Sequence, residues 1–379
     1  MVIYFDNAAT TKVKEEVLKE MEPYFSEEYG NPSSLYTSGR RAKRAIEEAR
    51  EKVAGLIGAD KNEIYFTAGG SESDNTALKG VAFANRHKGN HIITCKIEHP
   101  AILETCLELQ KQGFEITYLK VNEDGFINLE DLKNSIKPET ILISIMFANN
   151  EIGTIQPIEE IAKIAKERNI IFHTDAVQAV GNVDIQVKKM GIDILSLSGH
   201  KIYGPKGIGA LYVKQGIEFD KLIHGGHQEK NKRAGTENTA GIVGLGKACE
   251  MAKEHLNEYI EKVKTLRDYY TKQITEKIQD VKINGTMTKR LPGNINISFK
   301  DIDSSALVLE LDKKGICVSS GSACSSGNAD ISHVISAIKV PPEYAKGALR
   351  VTIGDYNNKA QVDYLVDNLI ESVKKLRKM

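Results

Sequence analysis

The sequence has no surplus of either charge, no CxxC pair, no internal repeat, no low-complexity tract and no uninterrupted apolar run of about eighteen residues. Each absence excludes something. Lys plus Arg and Asp plus Glu stand at 51 each, so no global field draws nucleic acid, an anionic membrane or a polyacidic partner, and any RNA contact would be local. The opening MVIYFDNAATTKVKEE has an acid at position 6 and no apolar stretch behind a basic start, which is not a secretory signal. The expected compartment is the cytoplasm. Five scattered cysteines, Cys95, Cys106, Cys249, Cys317 and Cys324, make neither a disulfide framework nor a zinc site, and two histidines, His224 and His227, are too few for a metal.

What is present is an ordinary globular composition of 379 residues, 41% hydrophobic and 27% charged, enough for two domains or one large α/β unit. SGRRAKRAIEEAREKVAGLIG (38 to 58) carries Ala42, Ala45, Ile46, Ala49, Val53, Leu56 and Ile57 at helical spacing, with Ser38 as cap and Gly58 as stop. Short apolar runs then alternate with helical patterns: EIYFT (63 to 67), HIITC (91 to 95), EITYL (115 to 119), ILISIM (141 to 146), IIFHT (170 to 174), DILSLS (193 to 198) and GALYV (209 to 213). Such alternation predicts βαβ units and a mostly parallel, covered sheet. One long helix is expected from about Thr239 to Ile278, and beyond it NINISF, SSALVLELDKKG, GICVS, GALRVTIG and a terminal helix over 358 to 378 predict a smaller α+β unit. The boundary is placed near 255 to 260, inside that long helix. Cys95, Cys106, Cys249 and Cys317 fall in apolar patterns and read as small buried hydrophobes. Cys324, in SSGSACSSGNADISH, does not.

Ligands of open parallel sheets bind beyond the carboxyl ends of the strands, and three of those ends carry chemistry. After EIYFT comes AGGSESDN, two glycines and Ser71 opening a helix, which reads either as an anion cradle or as a tight connection. After IIFHT comes Asp175, with Gln178 three residues on. The carboxylate either caps the next helix or pairs with a heterocyclic N–H. After DILSL come Ser198, His200 and Lys201 before a glycine-rich turn. A lysine at the end of a buried strand is suited to a Schiff base with an aldehyde cofactor. Ser198 and His200 would hold that cofactor's phosphate and Asp175 its ring nitrogen. Together these parts describe a pyridoxal phosphate site.

Over essentially its whole length the chain resembles the cysteine desulfurases of the NifS/IscS type, class V aminotransferase-family proteins of fold-type I. The motifs that carry the resemblance are YFDNAATT, YGNPSS, ESDN, EHPAIL, NNEIGTIQPI, HTDAVQA, SGHKIYGPKGIGALYV, RAGTEN and SSGSACSS, in that order. The resemblance implies an α/β fold with a large domain over 15 to 257, built on a mostly parallel seven-stranded sheet covered by helices. A small α+β domain, 1 to 14 with 258 to 379, would carry the cysteine loop near 319 to 333. It implies that Lys201 bears the cofactor, that His99 stacks on its ring and moves protons, and that Gln178 and Asn150 lie at its ring hydroxyl. Gly70, Ser71, Ser198 and His200 would hold the phosphate, joined by Thr236 from a neighbouring subunit, which makes a homodimer. Arg350, with Asn150, would take the substrate carboxylate in a bidentate grip. Position 71 is Ser where many relatives have Thr, and position 227 is His where Gly is usual.

The implied activity is removal of sulfur from L-cysteine, giving L-alanine and a persulfide on Cys324, then transfer to an acceptor protein such as an iron–sulfur scaffold or a tRNA-thiolating enzyme. A thiol that must travel suits a Ser/Gly segment, since Gly321 and Gly327 leave the backbone free. No resident metal is expected beyond a transient bridge from Cys324 to a cluster on a partner. A selenocysteine lyase, a kynureninase-like hydrolase, an aminotransferase and a non-catalytic scaffold are the alternatives. A travelling thiol serves neither hydrolase nor aminotransferase, and intact Lys201, Asp175, His99 and Cys324 speak against a scaffold.

Overall fold

The computed structural model describes residues 2–320 and 331–378. Seven strands form the main sheet in the spatial order Ile64–Thr67, Gly209–Val213, Ile194–Ser198, Ile171–Asp175, Thr140–Ser144, His91–Cys95, Glu115–Leu119. Only Gly209–Val213 runs against its neighbours; the other adjacent pairs are parallel. Every residue of Ile194–Ser198, Thr140–Ser144 and His91–Cys95 is buried, because helices cover both faces of the sheet. That is why these strands read in sequence as continuous apolar runs rather than alternating ones.

A second, antiparallel sheet has the order Ala348–Thr352, Asn294–Phe299, Val281–Ile283. It shares a separate apolar cluster with the helices Leu256–Lys277, Ser304–Asp312 and Lys359–Leu376. Ile3 and Phe5 join that cluster, and Ile3–Tyr4 pairs in parallel with Ile316–Cys317. The N-terminal segment thus runs from this core, at Ile3 and Phe5, to the main one, at Val17 and Met21.

Three expectations need correction. The helix expected to start at Ser38 starts at Thr37 with Tyr36 as its cap residue, so Ser38 lies inside the first turn, although Gly58 ends it in the left-handed region as expected. The single long helix is two, Thr239–Glu254 and Leu256–Lys277, broken at His255 where ψ opens to 12°. Cys317 is half-buried rather than buried, whereas Cys95, Cys106 and Cys249 are buried.

The edge of the main sheet at Ile64–Thr67 is sealed by an ion pair that periodicity does not announce. Arg50 forks onto Glu229 through two bonds of 2.7 Å, donates to Ile64 O at 2.9 Å, and Glu229 accepts Phe66 N–H at 2.8 Å. The free hydrogen-bonding groups of an edge strand are thereby satisfied. Glu229, Lys230 and Asn231 all sit at left-handed φ, the turn that aims the carboxylate inward. Glu229→Ala leaves a guanidinium that is 4% exposed with only Glu47, at 3.1 Å, as its carboxylate partner, and the expected cost is about 3 kcal/mol of stability in urea unfolding, the low end for a broken buried pair. A loss below about 1 kcal/mol would place the pair with surface ion pairs.

Candidate active site

Six connections leave the main sheet at the carboxyl end of its parallel strands, and five of them, after Thr67, Cys95, Ser144, Asp175 and Ser198, line one site. They bring Gly70, Ser71, His99, Asn150, Asp175, Gln178, Ser198, His200 and Lys201 to one cavity of about 340 Å3, and Arg350 from the second sheet closes it. All ten are residues the sequence pointed to. The N-terminal segment supplies Ala8 and Ala9 to the same wall.

At one end lies the start of helix Gly70–Ala84, whose cap residue is Gly69 at φ 148° and which no side chain among the described residues caps. Its first-turn N–H groups are therefore open to an anion, at the positive end of the helix dipole. A Cβ at position 70 would come within 2.7 Å of Val177 Cγ2, so the glycine is what lets the helix start so near the Asp175 turn. Ser198 and His200 flank this end. Thr10 fixes the His200 ring at 3.1 Å, and burial, with Lys201 and Lys206 nearby, pushes its pKa down to about 4. His200 is a neutral donor or acceptor here.

Asp175 is the last residue of its strand and almost wholly buried. No helix follows it: one carboxylate oxygen accepts Val177 N–H at 2.9 Å within a turn. Burial raises its pKa, while His99, the Val177 N–H and Lys201 pull it back toward the ionised form. His99 caps helix Pro100–Lys111, its Nδ1 accepting Ala101 N–H at 3.1 Å. That bond leaves the ring proton on Nε2. Burial lowers the His99 pKa, with Asp175 opposing and Lys201 assisting.

Two further carboxyls sit beside these and were not picked out from sequence. Asp74, in ESDN, lines the cavity one turn into its helix; burial and then the Asp175 charge raise its pKa. Glu98, next to His99, is 1% exposed. Its Oε1 accepts Met146 N–H at 2.8 Å and the Cys95 thiol at 3.0 Å, and burial pushes its pKa from 4.5 to about 8. A carboxyl with a raised folded pKa holds its proton better when folded. Its contribution to stability is full below the unfolded pKa and lost as pH climbs from about 4.5 to about 8. The melting temperature of wild type should fall relative to Glu98→Gln between pH 5 and pH 9. A difference that stays flat across that range would show that Glu98 does not change protonation there.

Lys201 Nζ donates to Ala8 O at 2.5 Å and Ala9 O at 2.7 Å, and Gln178 Nε2 donates to Ala8 O at 3.0 Å. Arg350 is 4% exposed; one arm of the guanidinium pairs with Asp6 Oδ1 at 2.7 Å and the other donates to Asn150 O at 3.3 Å. Its buried Nε has no hydrogen-bond partner among the described residues. A buried N–H with nothing to bond is costly unless a ligand completes it. Thr236 lies outside this cavity, exposed, just before helix Thr239–Glu254. Cys324, with Gly321 and Gly327, lies outside the described residues.

The family model for aminotransferase class-V matches residues 3–365. The chain is 55% identical over 379 residues to the cysteine desulfurase IscS of Clostridium botulinum (strain Hall), covering all of this chain and 96% of that one. Among solved structures, a NifS-like protein superposes with a TM-score of 0.94 at 39% identity, over 99% of this chain and 100% of that chain. A second, SspA in complex with cysteine, superposes at 0.83 with 39% identity, over 94% and 99%. The chain belongs to the class-V aminotransferase family, among its cysteine desulfurases of the NifS/IscS type.

Proposed function

We propose that the protein is a pyridoxal phosphate-dependent cysteine desulfurase that converts L-cysteine to L-alanine and passes the sulfur to Cys324. The observation that carries this reading is the meeting of Lys201, Asp175, His99 and Arg350 in one cavity, with Arg350 Nε unpartnered among the described residues. The uncapped helix start at Gly70 and the buried carboxylate of Asp175 fit the two ends of the cofactor. Gly70, Ser71, Ser198 and His200 would hold its phosphate, Asp175 its ring nitrogen, Gln178 and Asn150 its ring hydroxyl, and Lys201 its aldehyde carbon. Pyridoxal phosphate, when bound, supplies an electron sink for the pair released at Cα of the substrate.

The remaining work falls to the chain. Arg350 grips the substrate carboxylate and so fixes which Cα bond faces Lys201. The Lys201 amine takes and returns the proton at Cα. His99, neutral with its proton on Nε2, is placed to move a second proton beside Asp175. The Cys324 thiolate attacks the substrate sulfur: an S–S bond forms, the Cβ–Sγ bond breaks with its electron pair left on carbon, and protonation there gives L-alanine. The balance needs no external oxidant. Both ends of the segment holding Cys324 are tied to this site. Ser319 exchanges backbone hydrogen bonds with Arg350, Ser332 donates to Glu151 at 2.6 Å, and the His333 ring meets Glu98 O at 3.0 Å.

Residues 15 to 257 are read as the large domain, with 1 to 14 and 258 to 379 as the small one. Thr236, exposed, would complete the phosphate site of a second copy, in a homodimer. Acceptor proteins, an iron–sulfur scaffold or a tRNA-thiolating enzyme, would take the persulfide in the cytoplasm. The direct test is holoenzyme with L-cysteine and dithiothreitol, scored for alanine and sulfide. Equimolar L-alanine and sulfide are expected; pyruvate with ammonia, or no product, would overturn the reading.

A further inference from the structure

Tyr203, two residues beyond Lys201, has a φ of 64°, a conformation that an aromatic side chain rarely adopts. Such strain persists only where the surroundings over-determine it, and it clusters at functional sites. Three separate segments hold this residue. Its N–H donates to Thr11 Oγ1 at 2.8 Å and its carbonyl accepts Lys14 N–H at 3.1 Å. Thr11 also bonds His200 O, through its own N–H at 2.9 Å and its hydroxyl at 3.0 Å, so the whole turn from 200 to 203 is laced to the N-terminal segment. At the other end of the side chain, the hydroxyl accepts Asp355 N–H at 2.6 Å, and the ring meets Tyr259 of helix Leu256–Lys277 edge to face with centroids 6.3 Å apart.

Asp355 is where strand Ala348–Thr352, which bears Arg350, has just ended. Lys14 and Lys262 clasp its carboxylate at 2.7 and 3.2 Å, and the Lys14 ammonium also sits 5.2 Å from the Tyr203 ring centroid. A Cβ on Gly354 would come within 2.6 Å of the Tyr203 hydroxyl, so the strand end passes close against it. The phenol therefore spans from the turn that bears Lys201 on the main sheet to the strand end that follows Arg350 on the second sheet.

We propose that Tyr203 is a positioning residue that sets Arg350, and with it the substrate carboxylate, relative to Lys201. This rests on the desulfurase reading above and adds to it a device that fixes the spacing between amine and carboxylate grip. The strut acts on binding rather than on the proton transfer, because Thr11 and Lys14 hold the Lys201 side through the backbone whatever the side chain of residue 203.

The test is Tyr203→Phe in the holoenzyme, which keeps the ring and removes only the hydroxyl. KM for L-cysteine is expected to rise about tenfold with kcat within about twofold of wild type, and the Kd for L-alanine, read from the cofactor's visible band, to weaken by the same factor. The melting temperature should move by no more than a few degrees. Tyr259→Phe, which leaves the Asp355 bond in place, should show neither rise. Thr11→Val, loosening the Lys201 end of the strut, should raise KM and lower kcat as well, and in KM the double variant with Tyr203→Phe should add little to the larger single effect. Wild-type KM and L-alanine affinity in Tyr203→Phe would overturn the proposal. So would a fall in kcat and melting temperature together with no selective loss of binding, which is what a merely structural residue gives. Wild type that makes no alanine from L-cysteine would instead overturn the desulfurase reading, an outcome read before any variant is made.

Discussion

Lys201→Ala is expected to lower L-alanine formation from L-cysteine by roughly 10^2–10^4, the span of a lost acid–base group, while L-cysteine still binds. Lys201 is the one lysine among the described residues lining the cavity, and Ala8 O and Ala9 O hold its amine in place. No other described amine there can take a proton from Cα. His99 is not a substitute: burial keeps its pKa low, and its Nδ1 is engaged by Ala101 N–H. The variant should retain pyridoxal phosphate less tightly, because in the proposed reading the bond to the amine is gone while the phosphate and ring-nitrogen contacts remain. Alanine measured by chromatography under saturating cofactor separates weak loading from lost chemistry. Added methylamine should restore part of the rate if the amine acts as the base. Turnover within tenfold of wild type at saturating cofactor would remove Lys201 from the reaction.

The strand ends were legible because they combine two independent signals, a short apolar run and an immediately following residue of unusual chemistry. Asp175, Ser198 with Lys201, and the Gly70 turn all meet that description, and all line the cavity. Arg350 and His99 were not readable that way. A lone arginine in GALRVTIG looks like an edge charge, and only the family motif lifted it out. The structure supplies the physical reason, since Arg350 is buried against Asp6 across 344 residues of chain. Asp74 and Glu98 escaped notice although both stand inside quoted motifs, because nothing in their spacing says that the carboxyl points inward. Their burial follows from the packing of helix Gly70–Ala84 and of the turn after Cys95. Tyr203 and Glu229 were invisible for a related reason: their work depends on a positive φ, which no residue type other than glycine advertises. The break at His255 was missed because its neighbours keep helical periodicity across the kink.

The second large effect belongs to Cys324→Ser, which should abolish both alanine and sulfide production from L-cysteine while leaving the cofactor's visible band and its shift on L-cysteine addition as in wild type. A serine hydroxyl at this place cannot accept sulfane sulfur, so the Cβ–Sγ bond has no partner to break toward. The other cysteines do not offer a replacement. Cys95, Cys106 and Cys249 are buried, and burial raises the pKa of each thiol, which keeps it from being a thiolate. Cys317 is half-buried, its pKa is raised by burial with Asp312 and Asp6, and its backbone is engaged with Tyr4 in the Ile3–Tyr4 pairing. Position in the chain favours Cys324 further. Ser320, four residues before it, follows the Ser319–Arg350 bridge, so the chain between can span at most about 14 Å from a residue next to the carboxylate grip. Alkylation of the resting enzyme with iodoacetamide should therefore label Cys324 first and stop turnover in step with that label. Undiminished alanine formation by Cys324→Ser would mean that sulfur leaves without a protein thiol, and labelled but active enzyme would say the same.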